Sequence, residues 1–206
     1  MLHLYDFQLS GNAHKVRNML SILDLDYERI GVDLLAGDQH RVDFKVMNPF
    51  ARVPVLVDEN VVIRDSSAIL VYLGRKYGRG RWLPVDALGE ARVAEWLATA
   101  STDLADGPGR ARLIRIFGTS GDLEAASRQA HHVLSIFDAH LANVAYLVGR
   151  RPTIADIASY TDLALAFDGG IEVDEYRNVL RWFARLESLS GFQRAPLHVG
   201  ASDHAG

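Results

Sequence analysis

The sequence predicts two domains: a small α/β domain over residues 1–78 and an all-helical domain over residues 89–206, joined by a linker at 79–88. Over roughly the first eighty residues the hydrophobic pattern alternates between the period of a strand and that of a helix. Beyond Gly78 only the helical period continues. The stretch from Gly78 to Pro84 contains three of the residues that commonly interrupt regular structure, as is typical of a linker.

The first domain is predicted to have the order β-α-β-α-β-β-α. Apolar runs predict the strands, spacings of three and four residues predict the helices, and Asn48-Pro49 and Glu59-Asn60 separate them. In chain order the elements are a strand at 2–5, a helix with Val16, Met19, Leu20 and Leu23 on one face, a strand at 27–33, a short helix within 38–47, a hairpin of 55–57 with 61–63, and a helix with Ile69, Leu70, Leu73 and Tyr77 that closes at Gly78. This order predicts a small mixed sheet with helices packed against it.

The second domain is predicted to contain helices at 89–117, 123–144, 153–167 and 175–189. Pro108, within the segment 106–109, removes a backbone donor and should break or kink the first of them. Thr153 and Asp156 have the spacing of a helix N-terminus in which each side chain accepts a backbone N–H.

The sequence contains no cysteine. This excludes a disulfide-stapled scaffold, cysteine proteases, zinc ribbons, iron–sulfur proteins and redox enzymes that use their own thiol. Any sulfur chemistry here needs a thiol brought by a ligand.

The charge balance and the apolar runs exclude other classes. Lys and Arg total 22 and Asp and Glu total 26, a net charge of −4, which argues against general nucleic-acid binding. The first residues do not have the pattern of a secretory signal, and no apolar run approaches the ~18 to 20 residues that span a bilayer. We therefore expect a soluble, cytoplasmic protein with no nucleic-acid or membrane partner.

Motifs for nucleotide binding, serine hydrolysis and zinc proteolysis are missing from the sequence. Its eight histidines are scattered, and the adjacent His131 and His132 cannot both point to one side of a helix. We expect no metal site.

Three short segments could carry chemistry: Ser10-Gly11-Asn12, Val53-Pro54 and Asp65-Ser66. Each also has a purely structural interpretation, because Ser10, Asn12, Asp65 or Ser66 could cap a helix and Pro54 could begin a strand. Their order within a β-α-β-α-β-β-α unit favours a functional role.

These segments resemble cytosolic glutathione S-transferases, in particular serine-type bacterial members. The resemblance rests on four segments and covers almost the whole chain: Leu9-Ser-Gly-Asn-Ala-His-Lys-Val-Arg17, Asn48-Pro-Phe-Ala-Arg-Val-Pro-Val-Leu56, Arg64-Asp-Ser-Ser-Ala-Ile-Leu-Val-Tyr-Leu73 and Pro152-Thr-Ile-Ala-Asp156. It implies a thioredoxin-like first domain, an all-helical second domain and glutathione as co-substrate.

The resemblance also implies how glutathione is held. The Val53–Pro54 bond would be cis, so that the backbone of Val53 pairs with the cysteinyl residue of the ligand. Ser66 at a helix N-terminus would bind the γ-glutamyl carboxylate, and Asp65, where Glu or Gln is common, the ammonium group. His40 and Arg52 would meet the glycyl carboxylate, with Arg52 standing where Gln or Lys is frequent.

By resemblance, Ser10 would activate the thiol with Asn12 as an assistant. Tyr5 is the competing candidate, because other branches of the family use a tyrosine near the end of the first strand. We prefer Ser10, since Tyr5 lies earlier than that position.

The electrophile is expected between the domains, near the segment 106–112, where Arg110 or Arg112 could attract an anionic co-substrate or simply be solvated. Phe50 resembles the aromatic residue that family dimers insert into the partner, although it could instead pack within its own domain; we expect a homodimer. The predicted function is a glutathione S-transferase acting on a small hydrophobic electrophile. There are two alternatives. One is a glutathione-dependent disulfide reductase or peroxidase, and the other is a non-catalytic glutathione transferase-like binding or scaffold protein.

Overall fold

The computed structural model describes residues 1–197; positions 198–206 of the predicted second domain lie outside the described residues. Strands and helices alternate first and helices alone follow: β1 Leu2–Asp6, α1 Gly11–Ile22, β2 Tyr27–Gly31, α2 Val42–Met47, β3 Val55–Asp58, β4 Val61–Arg64, α3 Ser66–Lys76, α4 Ala87–Ser101, α5 Arg110–Phe117, α6 Leu123–Leu141, α7 Ile154–Ala164 and α8 Arg177–Glu187. Short 3-10 segments at Asp38–His40 and Leu165–Gly169 and a π-helical segment at Ala105–Gly109 complete the order.

The sheet has the order β2-β1-β3-β4 and confirms the predicted mixed topology. β1 pairs in parallel with β2 and antiparallel with β3, and β4 closes the sheet as an antiparallel edge strand. Leu4 and Leu56 are fully buried opposite each other in this sheet. They share one core with α1 and α3, through residues such as Met19 and Leu70, which is why the sequence shows both periods.

The helical domain buries its aromatic side chains around Asp156. Trp182, Tyr160 and Phe137 are almost entirely buried, and the Trp182 indole N–H donates to Asp156 Oδ1 at 2.9 Å. The backbone N–H of Thr153 donates to Asp156 Oδ2 at 2.8 Å, while Thr153 Oγ1 accepts from the N–H of Ala155 at 3.3 Å. The predicted cap is therefore confirmed.

The predicted helix 89–117 is interrupted near Pro108, as expected. α4 ends at Ser101, the backbone widens into the π-helical segment Ala105–Gly109, and α5 begins at Arg110. A side-chain Cβ at Gly107 would lie 2.9 Å from the backbone nitrogen of Ala130, so α6 packs directly on this segment. The break thus brings the backbone of this segment close to the backbone of α6.

Helix α3 ends differently from the prediction. It stops at Lys76 with Tyr77 as its C-cap, and Gly78, predicted as the cap, follows. Gly78 does not have positive φ, and a Cβ there would collide with the carbonyl oxygen of Gly74. A close backbone approach therefore accounts for this glycine.

A buried carboxylate at the end of β3 ties the sheet to α3. Asp58 Oδ2 accepts from Lys76 Nζ at 2.7 Å, from the Tyr72 hydroxyl at 2.8 Å and from the Tyr77 hydroxyl at 2.6 Å. Burial raises the pKa of Asp58, but these three donors outweigh it and lower the pKa to about 2. The cluster should therefore stabilise the fold while Asp58 is ionised.

The two domains pack through α1 and α7. The buried His14 ring lies 3.1 Å from Thr161 Oγ1 through Nδ1 and donates through Nε2 to the carbonyl of Arg194 at 3.1 Å. Burial, with a smaller contribution from the charge of Arg17, lowers the pKa of His14 to about 4. This histidine is therefore a neutral packing residue near pH 7.

Within residues 1–197, no helix has the length and apolar character needed to cross a membrane.

Candidate active site

A cavity of about 640 Å³ opens between the two domains, beside the N-termini of α1 and α3. Polar side chains from the first domain line part of it: Ser10, Asn12, Arg52, Asp65 and Ser66. Apolar side chains from both domains line the rest, among them Phe7, Leu34, Leu113, Phe117 and Leu165. The cavity wall therefore combines hydrogen-bonding groups with an apolar surface.

Ser10 is the N-cap of α1. Its Oγ accepts a hydrogen bond from the N–H of Ala13 at 3.2 Å. Because a hydroxyl can accept and donate at once, this bond leaves the O–H free to donate to a ligand in the cavity. The helix N-terminus adds a partial positive charge at the same place. Ser10 is thus suited to stabilising an anion.

Arg112 holds the loop that precedes Ser10. Its Nη1 donates to the carbonyl of Leu9 at 2.9 Å and its Nε donates to Asp168 Oδ2 at 3.0 Å, and the residue is only 6% exposed. Arg112 is therefore engaged in the structure and is not the solvated cation that we allowed for. Arg110, the other candidate, is exposed and lies outside this cavity lining.

Asn12 joins the N-termini of α1 and α3. Its Oδ1 accepts from Lys15 Nζ at 2.9 Å and from Ser66 Oγ at 3.3 Å. Lys15 Nζ in turn donates to Asp162 Oδ2 of α7 at 2.7 Å. These four polar groups form one connected chain across the cavity wall.

Asp65 and Ser66 form the N-terminus of α3. Asp65 has a φ of 74°, and its Oδ1 accepts from the backbone N–H groups of Ser67 at 2.9 Å and Ala68 at 3.2 Å. The expected capping role of Asp65 is thus present, and it does not exclude ligand binding by Oδ2. Ser66 is largely buried but lines the cavity.

The Val53–Pro54 peptide bond is cis, as the resemblance implied. Val53 lies two residues before β3 and is 8% exposed. The loop before it is held by Asn48, whose Nδ2 donates to the carbonyl of Arg52 at 2.7 Å. The side chain of Arg52 lines the cavity.

Three of the predicted residues lie outside the cavity lining: Val53, which directly follows Arg52, and Tyr5 and His40. Tyr5 packs edge-on against Phe44, with ring centroids 6.2 Å apart, in the smaller core under α2. His40 ends an exposed 3-10 turn, where its Nε2 lies 3.3 Å from Gln39 Nε2. The position of Tyr5 favours Ser10 over Tyr5 as the group that meets a thiol.

Family comparisons agree with this geometry. Residues 4–82 match the model for the N-terminal domain of glutathione S-transferases, and residues 111–190 match the model for their C-terminal domain. The chain belongs to the glutathione S-transferase family. The predicted family and fold are therefore confirmed.

Curated relatives span several classes of this family. Glutathione S-transferase Z1 of Arabidopsis thaliana is 52% identical over 85 residues, which are 41% of this chain and 38% of that protein. The chain thus aligns with less than half the length of this plant relative. Human glutathione S-transferase theta-1 is 33% identical over 94% of this chain and 87% of its own length.

Solved glutathione S-transferase structures share the whole fold. A glutathione S-transferase from Pseudomonas fluorescens superposes with a TM-score of 0.88 at 27% identity, covering 93% of this chain and 97% of that one. A glutathione transferase homologue from Drosophila mojavensis, solved with bound glutathione, gives a TM-score of 0.83 at 26% identity and covers 91% and 88% of the two chains.

Sequence reasoning missed Lys15 and Asp162, and it left the role of Arg112 open. One signal was available for Lys15, which lies three residues after Asn12 and so shares its helix face. Asp162 is 147 residues from Lys15 along the chain, and no local sequence pattern predicts that they pair. Among the residues that the structure describes, no group of three or more His, Cys, Asp or Glu side chains could hold a metal ion.

Proposed function

We propose that the protein binds glutathione in this cavity, ionises its thiol at Ser10 and directs the thiolate onto a small hydrophobic electrophile. The observation that carries the proposal is the Ser10 hydroxyl, whose oxygen accepts the cap hydrogen bond from the N–H of Ala13 and which lines a cavity of ligand size. Because the chain contains no cysteine, glutathione supplies the reacting sulfur.

The expected energetics suit thiolate formation. A free thiol has a pKa of about 8.5, so ionising it at pH 7 costs about 2 kcal/mol. A hydroxyl that donates to the thiolate contributes about 1.5 to 3 kcal/mol, and the N-terminus of α1 adds about 0.3 to 1 kcal/mol. We therefore assign the protein to the serine-type members of the family.

For glutathione itself we propose contacts at both ends of the tripeptide and one in the middle. Ser66, at the N-terminus of α3, binds the γ-glutamyl carboxylate, and Asp65 binds the ammonium group through Oδ2, since Oδ1 caps the helix. The backbone of Val53 pairs with the cysteinyl residue. Arg52 binds the glycyl carboxylate, for which its guanidinium provides two parallel donors. His40 is the second contact that we propose for the glycyl group, and His40→Ala tests it separately.

For the electrophile we propose the apolar part of the cavity. Phe7 and Phe117 lie with ring centroids 6.4 Å apart, one from each domain, and Leu113 of α5 lines the cavity beside them. Arg112 is paired with Asp168 and the Leu9 carbonyl. Its charge is therefore already balanced, which favours a neutral, planar electrophile over an anion.

We further propose that the protein is a homodimer. Phe50 is 67% exposed, with the Arg64 guanidinium 5.2 Å from the centre of its ring. Arg64 shares one face of the edge strand β4 with Val62, which is 47% exposed. An exposed aromatic ring beside an exposed valine on a sheet edge is suited to insertion into a second copy. We propose the cytoplasm as the compartment, where glutathione is kept reduced.

The test is steady-state kinetics of the purified protein with glutathione and 1-chloro-2,4-dinitrobenzene, with glutathione binding measured by calorimetry. We expect turnover, and we expect Ser66→Ala to weaken glutathione binding roughly tenfold, as for the loss of one hydrogen bond to a charged group. A disulfide and a hydroperoxide are assayed in parallel, and faster turnover of either would favour the reductase or peroxidase alternative. Glutathione binding without turnover of any of them would favour the non-catalytic alternative.

A further inference from the structure

Lys15 is a buried cation in the wall of the cavity. It is only 4% exposed, and its ammonium group makes two hydrogen bonds, one to Asp162 Oδ2 at 2.7 Å and one to Asn12 Oδ1 at 2.9 Å. Burying an ammonium group is costly unless acceptors replace its water. The first contact neutralises the charge. The second replaces a lost water molecule and places the ammonium group against the Asn12 amide.

The ammonium group fixes which way the Asn12 amide points. An amide has an acceptor oxygen and a donor NH2 group, whereas an ammonium group can only donate. Lys15 must therefore face Oδ1, and Ser66 Oγ donates to the same oxygen at 3.3 Å. Both lone pairs of Oδ1 are then occupied. Within residues 1–197, Asn12 Nδ2 donates to no protein acceptor, although the exposed side chain lines the cavity next to Ser10.

We propose that Lys15 is a positioning residue, anchored by Asp162, which turns the N–H side of the Asn12 amide towards the thiolate of bound glutathione. This inference rests on the proposed function. The thiolate then receives two donors, the Ser10 hydroxyl and the Asn12 amide. Without Lys15 the amide can rotate by half a turn and present its oxygen, which repels an anion and favours the protonated thiol.

The anchor comes from the other domain. Asp162 lies on α7, and the Asp162 side chain is 14% exposed. The orientation of an amide in the first domain thus depends on how α7 packs against α1. Asp162→Asn retains an acceptor oxygen for Lys15, so we expect it to preserve the orientation of Asn12 better than loss of the lysine does.

The experiment compares Lys15→Met, which removes the ammonium group but keeps the chain length, with Lys15→Arg, which keeps a charged donor. For each protein the pKa of the bound glutathione thiol is measured from the ultraviolet absorbance of the thiolate and from the pH profile of kcat/KM. We expect Lys15→Met to raise that pKa by about one unit, with kcat/KM near pH 6.5 falling about tenfold. Lys15→Arg should recover most of the loss.

A matched control separates positioning from stability. Lys76→Met removes another lysine that pairs with a buried carboxylate at 2.7 Å, and Lys76 lies at the opposite end of α3 from the cavity residues Asp65 and Ser66. It should lower the melting temperature without shifting the pKa of the bound thiol. A purely structural role for Lys15 would give the same pattern in Lys15→Met, and that result would overturn the inference.

A second variant keeps the test decisive if Lys15→Met does not fold. Asn12→Asp keeps an acceptor for Lys15 and Ser66 but replaces the inward N–H by a negatively charged oxygen, so it should raise the pKa of the bound thiol by at least one unit. An unchanged pKa in Asn12→Asp would contradict the inference. If the wild-type protein itself does not lower the pKa of the bound thiol, the proposed function fails, and this inference fails with it.

Discussion

Replacing Ser10 by alanine should raise the pKa of the bound glutathione thiol and leave the rest of the site intact. The Ser10 hydroxyl is expected to contribute about 1.5 to 3 kcal/mol to the thiolate. Since one pKa unit corresponds to about 1.4 kcal/mol, the pKa should rise by about 1 to 2 units. At pH 6.5 the value of kcat/KM should fall about 10- to 100-fold, and the loss should shrink as the pH is raised, because hydroxide then removes the proton.

The same substitution also removes a helix cap, and this effect must be separated from the first. Ser10 Oγ accepts from the N–H of Ala13, and loss of such a cap costs about 1 kcal/mol of stability. Asp86→Ala is the matched control, because Asp86 caps α4 by accepting from the N–H of Gly89 at 2.9 Å. Both variants should melt a few degrees lower, but only Ser10→Ala should change the pH profile.

Two further variants complete this test. Ser10→Thr keeps a hydroxyl at the cap and should retain most of the activity. Tyr5→Phe should behave like the wild type, because Tyr5 packs against Phe44. Full conjugating activity in Ser10→Ala together with loss of activity in Tyr5→Phe would refute the assignment of Ser10.

Three other substitutions test the fold and the assembly. Phe50→Ala should shift a dimer towards monomer in sedimentation velocity, and a wild-type protein that is already monomeric would contradict the proposed interface. Gly107→Ala places a methyl group against the backbone of Ala130 and should lower the free energy of unfolding by about 1 to 3 kcal/mol. Its control is Gly31→Ala, whose methyl group meets no atom within 4 Å and should cost little. Equal effects of the two substitutions would be inconsistent with close packing of α6. The pKa of Asp58 is about 2 when folded, so its ionised form stabilises the fold by about 2 kcal/mol above pH 4 and this contribution disappears as the pH falls towards 2. In chemical denaturation the free energy of unfolding of Asp58→Asn should therefore be lower than that of the wild type near pH 7 and approach it near pH 2. A difference between the two proteins that does not depend on pH would contradict this interpretation.

The sequence predicted most of the fold because its signals are local. Strand and helix periods in the first domain identified every strand and all three of its α-helices, and the Thr153 cap and Pro108 marked a helix start and a helix break. Ends were less accurate: the helix predicted to reach Val144 ends at Leu141. Helix ends depend on which carbonyl groups find partners in the folded state, and the hydrophobic period does not record this.

The candidate site was predicted in part, for a similar reason. Ser10, Asn12 and Ser66 line the cavity as expected, because the resemblance carried their positions along the chain. The bond from Arg112 to the Leu9 carbonyl joins residues 103 positions apart, and the pair of Lys15 and Asp162 is more distant still. Such contacts depend on how the two domains pack, so neither periodicity nor a short motif contains them.

The most direct test of the proposed mechanism is a crystal structure of the protein with glutathione. We predict that the sulfur lies within hydrogen-bonding distance of Ser10 Oγ and Asn12 Nδ2, that the cysteinyl backbone pairs with Val53, and that the γ-glutamyl carboxylate meets Ser66. A sulfur atom placed against Tyr5, or a cavity that stays empty at saturating glutathione, would contradict the mechanism.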